Sequence, residues 1–459
     1  MNILLVNPWI TDFAAYDLWA KPLGLLYIGA FLEARGHRVR LVDCMHRFQG
    51  EHGYIGGEKR LFGTGKFHRE IITKPGSIAH VPRHYCRYGI PVDLFRCLVM
   101  EGPAPEVILV TCVMTYWYPG AFEAIALLRK WFPATPVVLG GIYAALCTEH
   151  AREKSGADTV ITSSLPSEII SSVEAFGGKQ GEGPVPHDSF DRWPEPVWEQ
   201  YAELPAAAVL TSRGCPMRCT MCASHLLFSG FERCDPGKAA ESLRNLAFRN
   251  SCRDIAFYDD ALLLDAGHYA LPLFEELAQE GAPARLHTPN GLHVREINPE
   301  LAHAMKRAGM TTIRLSLETS SDERAREKYS GKVSRDRFKS AVRALFRAGF
   351  APDSIGAYVL AGLPGQEKEE VYDTVAFSHS CGVKVKPALF SPVPGTAEFE
   401  RAIETGMLSR DADPLLHNNT LRTFDLWGGE GEYEKFKRMV TEGSRKILGK
   451  TEDRIKFEP

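Results

Sequence analysis

The chain has 459 residues, 44% hydrophobic and 24% charged, with a formal net charge of −3. That length predicts about two to three domains, each able to bury its own core. Ordinary composition and near-neutral charge argue against nucleic acid or an anionic membrane as partner. No apolar run approaches the roughly 20 residues of a membrane helix. The start, MNILLVNPW, reads as a strand without a basic lead, so no signal peptide is expected. Eleven cysteines, an odd number, suit a reducing cytoplasm.

The first third alternates strand and helix. Strands are expected at 2–6, 39–42, 107–110, 137–139 and 159–162, with helices from Pro22 to a stop at Gly36, then at 121–131, 148–154 and 167–176. Such alternation predicts a doubly wound parallel sheet of Rossmann or flavodoxin type, with ligands beyond the carboxyl ends of its strands. Those ends fall at 7–9, 43–46, 111–115 and 140–143. Residues 47–102 form an insert longer than ordinary connections. Its His68, His84 and Cys86 are read as packing residues rather than metal ligands, and the aromatic run Tyr116–Tyr118 as either core or a cover for a planar ring. Residues 177–203, rich in Pro, Gly and charge, read as a surface linker held down by Trp193 and Trp198.

A short apolar run at 206–210 leads into TSRGCPMRCTMCAS, which holds Cys215, Cys219 and Cys222 as C-x3-C-x2-C. Three thiolates on one loop suit iron and an iron–sulfur cluster. A structural zinc would want a fourth ligand, for which His225 or Cys234 stands nearby. Further strands are expected at 254–258, 285–288, 312–317, 354–360 and 383–389, separated by helices at 269–279, 299–307, 335–347 and 368–379. With the strand before the cysteines this makes six β/α units, too few for a closed eight-fold barrel. A partial (β/α)6 barrel follows, with its site at the carboxyl ends of the strands. Those ends carry IAFYDD, with Asp259 and Asp260, then LSLETSS, AYVLAGLPG and FSPVPGTAEFE. The expected domains are 1–176, with the insert, then the linker, a barrel at 204–400 and a helical tail at 401–459.

The cysteine loop and the strand-end motifs resemble the radical S-adenosylmethionine (SAM) superfamily. The resemblance implies a 4Fe–4S cluster on Cys215, Cys219 and Cys222, whose open iron chelates the amino and carboxylate groups of SAM. Reductive cleavage of SAM to methionine and a 5′-deoxyadenosyl radical is the implied reaction. By the same likeness Tyr258 and Asp259 contact the SAM amino group, Glu318 the ribose hydroxyls, and Leu360 and Gly362 the adenine. Met221 stands where the family usually has an aromatic residue near the adenine. The N-terminal third, through YDLWAKPLGLLYIGAFLEARGHRVRLVDC and VVLGGIYAA, looks like the cobalamin-binding domain of one radical SAM subclass. Gly140 and Gly141 then make room for the cofactor's nucleotide tail. The family's D-x-H-x-x-G motif is broken: Met45 occupies the histidine position after Asp43, and His46 is one residue late.

These features lead to an expected SAM-cleaving enzyme with 4Fe–4S, SAM and cobalamin as cofactors, transferring a methyl group to an unactivated carbon or a phosphorus centre of a small molecule. A donor such as flavodoxin or ferredoxin would supply the electron in the cytoplasm. The alternatives are a radical SAM enzyme without cobalamin, catalysing a rearrangement or sulfur insertion with the first domain serving substrate binding, and a non-catalytic cluster-bearing sensor.

Overall fold

A computed structural model of the protein describes residues 1–422 and 426–449. It divides into two compact units, one of residues 1–208 with 413–417, the other of 209–412 with the chain from 418 onward.

The first unit is built on five parallel strands, β1 (Asn2–Asn7), β2 (Arg38–Asp43), β3 (Val107–Thr111), β4 (Val137–Gly140) and β5 (Thr159–Val160). Their order is β5-β4-β3-β1-β2, with Ile3 beside both Val39 and Val107. This is the doubly wound, flavodoxin-like order that strand–helix alternation predicts. The strands are apolar throughout because both sheet faces are covered. Ile3 and Leu5 share one core with Leu25, Phe31 and Leu32 of the helix Leu23–Ala34 and Val173 of the helix Pro166–Gly177. In residues 177–203, Trp193 packs edge-on to Tyr27, Phe31 and Phe190, and Trp198 is buried.

The insert is more ordered than its sequence suggests. Two small antiparallel sheets form, one joining Ile10–Asp12 to Cys86–Tyr88 and Arg69–Ile71, the other joining Tyr16–Asp17, Gly65–Phe67 and Gly56–Lys59. Each takes one strand from the segment just after β1, so the insert is stitched to the carboxyl end of the parent sheet. His84 is exposed while Cys86 is fully buried, so they do not share a metal site. A second feature without a local signal is the return of 413–417. There Asp413 accepts from the Tyr118 hydroxyl at 2.9 and 3.1 Å, and His417 Nδ1 lies 3.1 Å from Thr115 Oγ1.

The second unit carries six strands in sequential order: β6 (Ala206–Val209), in which the boundary between the units falls, β7 (Asp254–Phe257), β8 (Arg285–His287), β9 (Met310–Glu318), β10 (Ile355–Ala361) and β11 (Lys384–Leu389). Helices follow β7 to β10 as expected, and Pro236–Arg249, absent from the sequence reading, supplies the crossover between β6 and β7. The side chains of Asp235, Asn298 and Ser334 cap the helices Pro236–Arg249, Pro299–Arg307 and Arg335–Arg347 by accepting first-turn N–H groups. On β9, Ile313, Leu315 and Leu317 are wholly buried, while the alternate residues Arg314 and Ser316 face the lumen side. The tail contains the helix Glu430–Leu448; residues 423–425 and 450–459 of the expected extension lie outside the described residues.

Candidate active site

The cysteine loop leaves β6 through a pinched base. Ser212–Arg213 pairs antiparallel with Glu232–Arg233, and Cys234 N–H donates to Thr211 O at 3.1 Å. Gly214 turns the chain with φ +77°, and a Cβ there would meet Gly230 O at 2.0 Å, so only glycine fits. Within the loop, Cys222 N–H donates to Cys219 O at 3.0 Å, and Ser224 N–H reaches Cys222 Sγ at 3.4 Å. All three thiols are free. Burial pushes each above the ordinary cysteine value, Cys219 to about 11, and the sulfurs raise one another while Lys332 opposes. Backbone N–H groups of Met217 and Ser224 support Cys215 and Cys222 in their charged forms. This donor set, three thiols on one loop with N–H and cationic support, fits an iron–sulfur cluster. Among the described residues, no three His, Cys, Asp or Glu side chains close around a single-ion position. Met221 is half-buried in the loop.

A buried ion pair holds the loop in place. Thr220, between Cys219 and Met221, donates from its hydroxyl to Glu398 Oε1 at 2.7 Å and from its N–H to Lys328 O at 2.9 Å. Lys328 Nζ lies 2.8 Å from the same Glu398 oxygen, and the two side chains are 3% and 1% exposed. Glu398 stands in the FSPVPGTAEFE loop on a helix (Ala397–Glu404) capped by Thr396.

The two aspartates after β7 divide their work. Asp259 Oδ1 accepts four hydrogen bonds from the N–H and hydroxyl groups of Thr211 and Ser212. It therefore fastens the base of the cysteine loop. Burial pushes its carboxyl up to about 6 against those hydrogen bonds, and its Oδ2 is buried without a partner. Asp260 is the one that lines the cavity and stands near Cys215 and Cys222. Its Oδ2 accepts from Ser224 Oγ at 2.6 Å, and burial raises its pKa. Tyr258 offers its carbonyl to Asn290 Nδ2 at 2.8 Å.

Glu318 ends β9 in a strained turn. Its φ is +52°, and Thr319 N–H donates back to Leu317 O at 2.6 Å, which closes a γ-turn of the rare positive-φ kind. A non-glycine residue held this way costs about 1–3 kcal/mol, a strain that clusters at functional sites. The turn delivers Glu318 Oε1 to Lys332 Nζ at 2.8 Å, whereas Oε2 is buried and unpartnered. Burial alone would lower Lys332, yet Glu318, with Cys219 and Cys222 near, holds its ammonium above the ordinary lysine value. After β10 the chain turns at Gly362 (φ +92°), and the Gln366 side chain closes the turn by accepting from Gly362 N–H at 2.8 Å and donating to Leu360 O at 3.2 Å.

These strand ends surround a cavity of about 370 Å³, lined by Asp260, Asn290, His293, Ser316, Lys332 and Tyr358 among others. His293 Nδ1 is buried and unpartnered, and burial, then Lys332 and Arg295, hold its pKa down to about 3. The imidazole is neutral. Lys332, His293, Asn290 and Gln366 carry no motif, and sequence reasoning missed them. Lys332 is reached only because the helix Asp322–Lys328 and a turn at Gly331 (φ +61°) lead the chain back to the strand ends.

In the first unit, Gly141 has φ +94°, and a Cβ there would meet Cys112 O at 2.6 Å and Thr111 Oγ1 at 2.7 Å. The protein's own packing therefore demands that glycine. At Gly140 a Cβ would meet only Ile161 O, at 3.8 Å, so the backbone there is open to a ligand. Met45 packs into a core with Phe67, Cys86 and Tyr88. His46 lies against Tyr201, ring centroids 4.6 Å apart, with Nδ1 3.2 Å from Lys21 Nζ. Asp43 accepts from Asn7, from Met45 N–H and from the Tyr201 hydroxyl.

Residues 209–378 match the family model of the radical SAM superfamily. An uncharacterised methyltransferase of Pyrococcus horikoshii is 27% identical over 226 residues, which are 49% of this chain and 48% of that protein. The chain thus spans about half the length of that relative. The cytidylyl-2-hydroxyethylphosphonate methyltransferase of Streptomyces wedmorensis is 22% identical, covering 94% of this chain and 87% of its own. Among solved structures, the radical SAM methyltransferase TsrM of Kitasatospora setae, with cobalamin and a [4Fe-4S] cluster bound, has a TM-score of 0.65 at 14% identity and covers 98% of this chain and 89% of its own. TsrM with tryptophan and a SAM analogue gives 0.62 at 16% identity, covering 90% and 77%. Residues 209–378 thus match the radical SAM family model, and along nearly its whole length the chain has the fold of TsrM.

Proposed function

We propose that the protein is a radical SAM methyltransferase that holds a 4Fe–4S cluster on Cys215, Cys219 and Cys222 and binds cobalamin on its first unit. The observation that carries this reading is the set of unfilled groups at one end of the barrel. Two residues that line the cavity connect these groups: Asp260 stands near the free thiols Cys215 and Cys222, and Lys332 pairs with Glu318, whose Oε2 is unpartnered. Bound there, the cluster supplies the electron that cleaves SAM. Glu318 accepts from the ribose hydroxyls through Oε2, with its orientation fixed by Lys332. Asp260, rather than Asp259, receives the SAM ammonium, because Asp259 is engaged with the loop base. Leu360 and the Gly362 turn form the adenine side, with Met221 nearby. Gly140 gives a cobalamin tail access to the backbone. Methyl transfer is supported by relatives that carry that name over most of the chain.

The substrate is a small molecule, and the electron donor is of the flavodoxin or ferredoxin class. No helix among the described residues is long and apolar enough to cross a membrane, and a reducing cytoplasm is the compartment that suits eleven cysteines, free wherever the structure describes them. The division into a cobalamin domain at 1–176, a linker at 177–203, a SAM domain at 204–400 and a tail belongs to the same proposal. Anaerobic reconstitution tests it. The protein should bind four irons and four sulfides and turn SAM over to 5′-deoxyadenosine, and alanine at Cys215, Cys219 or Cys222 should abolish both. Undiminished iron in the triple variant would sink the assignment.

A further inference from the structure

One polar side chain of the barrel cavity has no role in the reading above. His293 lines that space with Asp260, Ser316 and Lys332; the residue is 5% exposed, and its Nδ1 is buried without a partner. Buried polar groups are ordinarily satisfied by protein, so this exception points to a partner that arrives with a ligand.

Backbone, not the ring's own hydrogen bonding, sets its position. After β8 the chain loops through 289–291 and returns as the two-residue strand Leu292–His293, which pairs with β9 so that His293 stands beside Ser316. The loop is fastened to three strands. Asn290 Nδ2 donates to Tyr258 O, just after β7, at 2.8 Å, and the Tyr358 hydroxyl on β10 donates to Pro289 O at 2.7 Å. A Cβ on Gly291 would meet Ser316 Oγ of β9 at 2.2 Å, so the loop lies directly on that strand.

Register then gives the neighbours of the ring. Ala256 of β7, His287 of β8 and Thr312 of β9 share one row. Asp260 follows Ala256 by four residues, and Ser316 follows Thr312 by four. Asp260, His293 and Ser316 therefore end at about one level of the cavity, with His293 between the other two. Neighbouring strands are about 4.8 Å apart, which places His293 one strand from the acid assigned to the SAM ammonium. An α-amino acid carries its carboxylate on the carbon that bears its ammonium, so an ammonium at Asp260 brings the carboxylate next door. Charge agrees with that placement. Burial, then Lys332 and Arg295, hold the imidazole neutral, and no acid among the described residues draws its pKa back up. Such surroundings suit an anion better than the ammonium or sulfonium of SAM, and a neutral imidazole keeps one N–H to offer it.

We propose that His293 donates a hydrogen bond to the α-carboxylate of SAM, so that Asp260 and His293 together read the amino acid group of the ligand. A carboxylate has lone pairs enough for both an iron and an N–H donor. The proposal rests on the radical SAM reading of the cavity and adds selectivity for SAM over a ligand without the carboxylate.

Calorimetric titration of the anaerobically reconstituted protein with SAM and with decarboxylated SAM tests it. His293→Phe, which keeps a ring but no N–H, should weaken SAM about tenfold, as expected for one hydrogen bond to a charged group. Its affinity for decarboxylated SAM should equal that of the unmodified chain. The iron's own hold on the carboxylate is common to both proteins and cancels from the comparison. Iron content equal to that of the unmodified chain shows that the site has folded; where phenylalanine lowers it, His293→Ala takes its place with the same expectation. Unchanged SAM affinity overturns the proposal because no contact was lost. An equal loss for both ligands overturns it too, since the residue would then act on the loop or the adenosyl side. Unmodified protein that binds neither ligand refutes the radical SAM reading itself, and the proposal with it.

Discussion

The two units present the same topological address, the carboxyl ends of parallel strands, in opposite states. At the barrel end the polar groups are incompletely matched by protein: Glu318 Oε2, Asp259 Oδ2 and His293 Nδ1 are buried without partners, and Glu318 sits in a strained turn. At the end of the first sheet most of the corresponding groups are closed by protein, with Thr11 Oγ1 and His46 Nε2 as the buried exceptions. Asn7 and Asp43 bond each other, Trp9 donates to Ile90 O at 2.6 Å, and Gly141 packs on Cys112. Buried polar atoms are normally satisfied, so a cluster of exceptions identifies where a ligand completes the structure. The first sheet instead offers backbone room at Gly140 and little side-chain chemistry. One end is built to react and the other to hold.

The largest way to break the contrast is through the loop anchor. Glu398→Ala strands Lys328 in a buried site, and removal of one partner of such a pair costs about 3–5 kcal/mol. Thr220 loses its acceptor at the same time. The variant should lose cluster content on reconstitution, with the remaining cluster giving a broadened electron paramagnetic resonance signal. A fold retained by circular dichroism with full iron content and a native signal would show that the pair does not position the loop. Next in size is Glu318→Gln. A hydrogen bond to a charged group contributes about 1.5–3 kcal/mol, so SAM affinity should fall roughly ten- to a hundred-fold while the cluster spectrum is retained. Unchanged affinity by calorimetry would remove Glu318 from the site.

The same contrast explains what the sequence made legible. The cysteine triplet and Glu318 were readable because their chemistry resides in short contiguous motifs at strand ends. Asp260 was visible, but its division of labour with Asp259 was not, because it depends on where the backbone of Thr211 and Ser212 arrives. Lys332 converges with Asn290 and His293 from a separate loop, and no local spacing announces them. The alternating strands and helices gave both parallel sheets because buried strands read as continuous apolar runs. The insert escaped because its strands are three or four residues long with mixed polarity, as in GGEK and REI. The return of 413–417 to the first unit depends on Asp413 meeting Tyr118, a pairing across nearly 300 residues that no window of sequence contains.

The smallest expected effect is the sharpest test of the holding end. If the first unit binds cobalamin through open backbone, no side chain should be needed on cobalt. Met45, at the position of the family's histidine, is fixed in the core with Phe67, Cys86 and Tyr88. His46 is tilted against Tyr201, the ring planes 60° apart, with Lys21 at its Nδ1. Burial, and then the charge of Lys21, keep its pKa well below the ordinary histidine value, so it is neutral, with its Nε2 buried and unpartnered. Cobalamin added to the purified protein should therefore show a base-off absorbance, and His46→Ala should leave that spectrum and the affinity unchanged. A histidine-on spectrum lost in His46→Ala would make His46 the lower ligand and give the first sheet a reactive side chain after all. Failure to bind cobalamin at micromolar concentrations would remove the cofactor from the first unit.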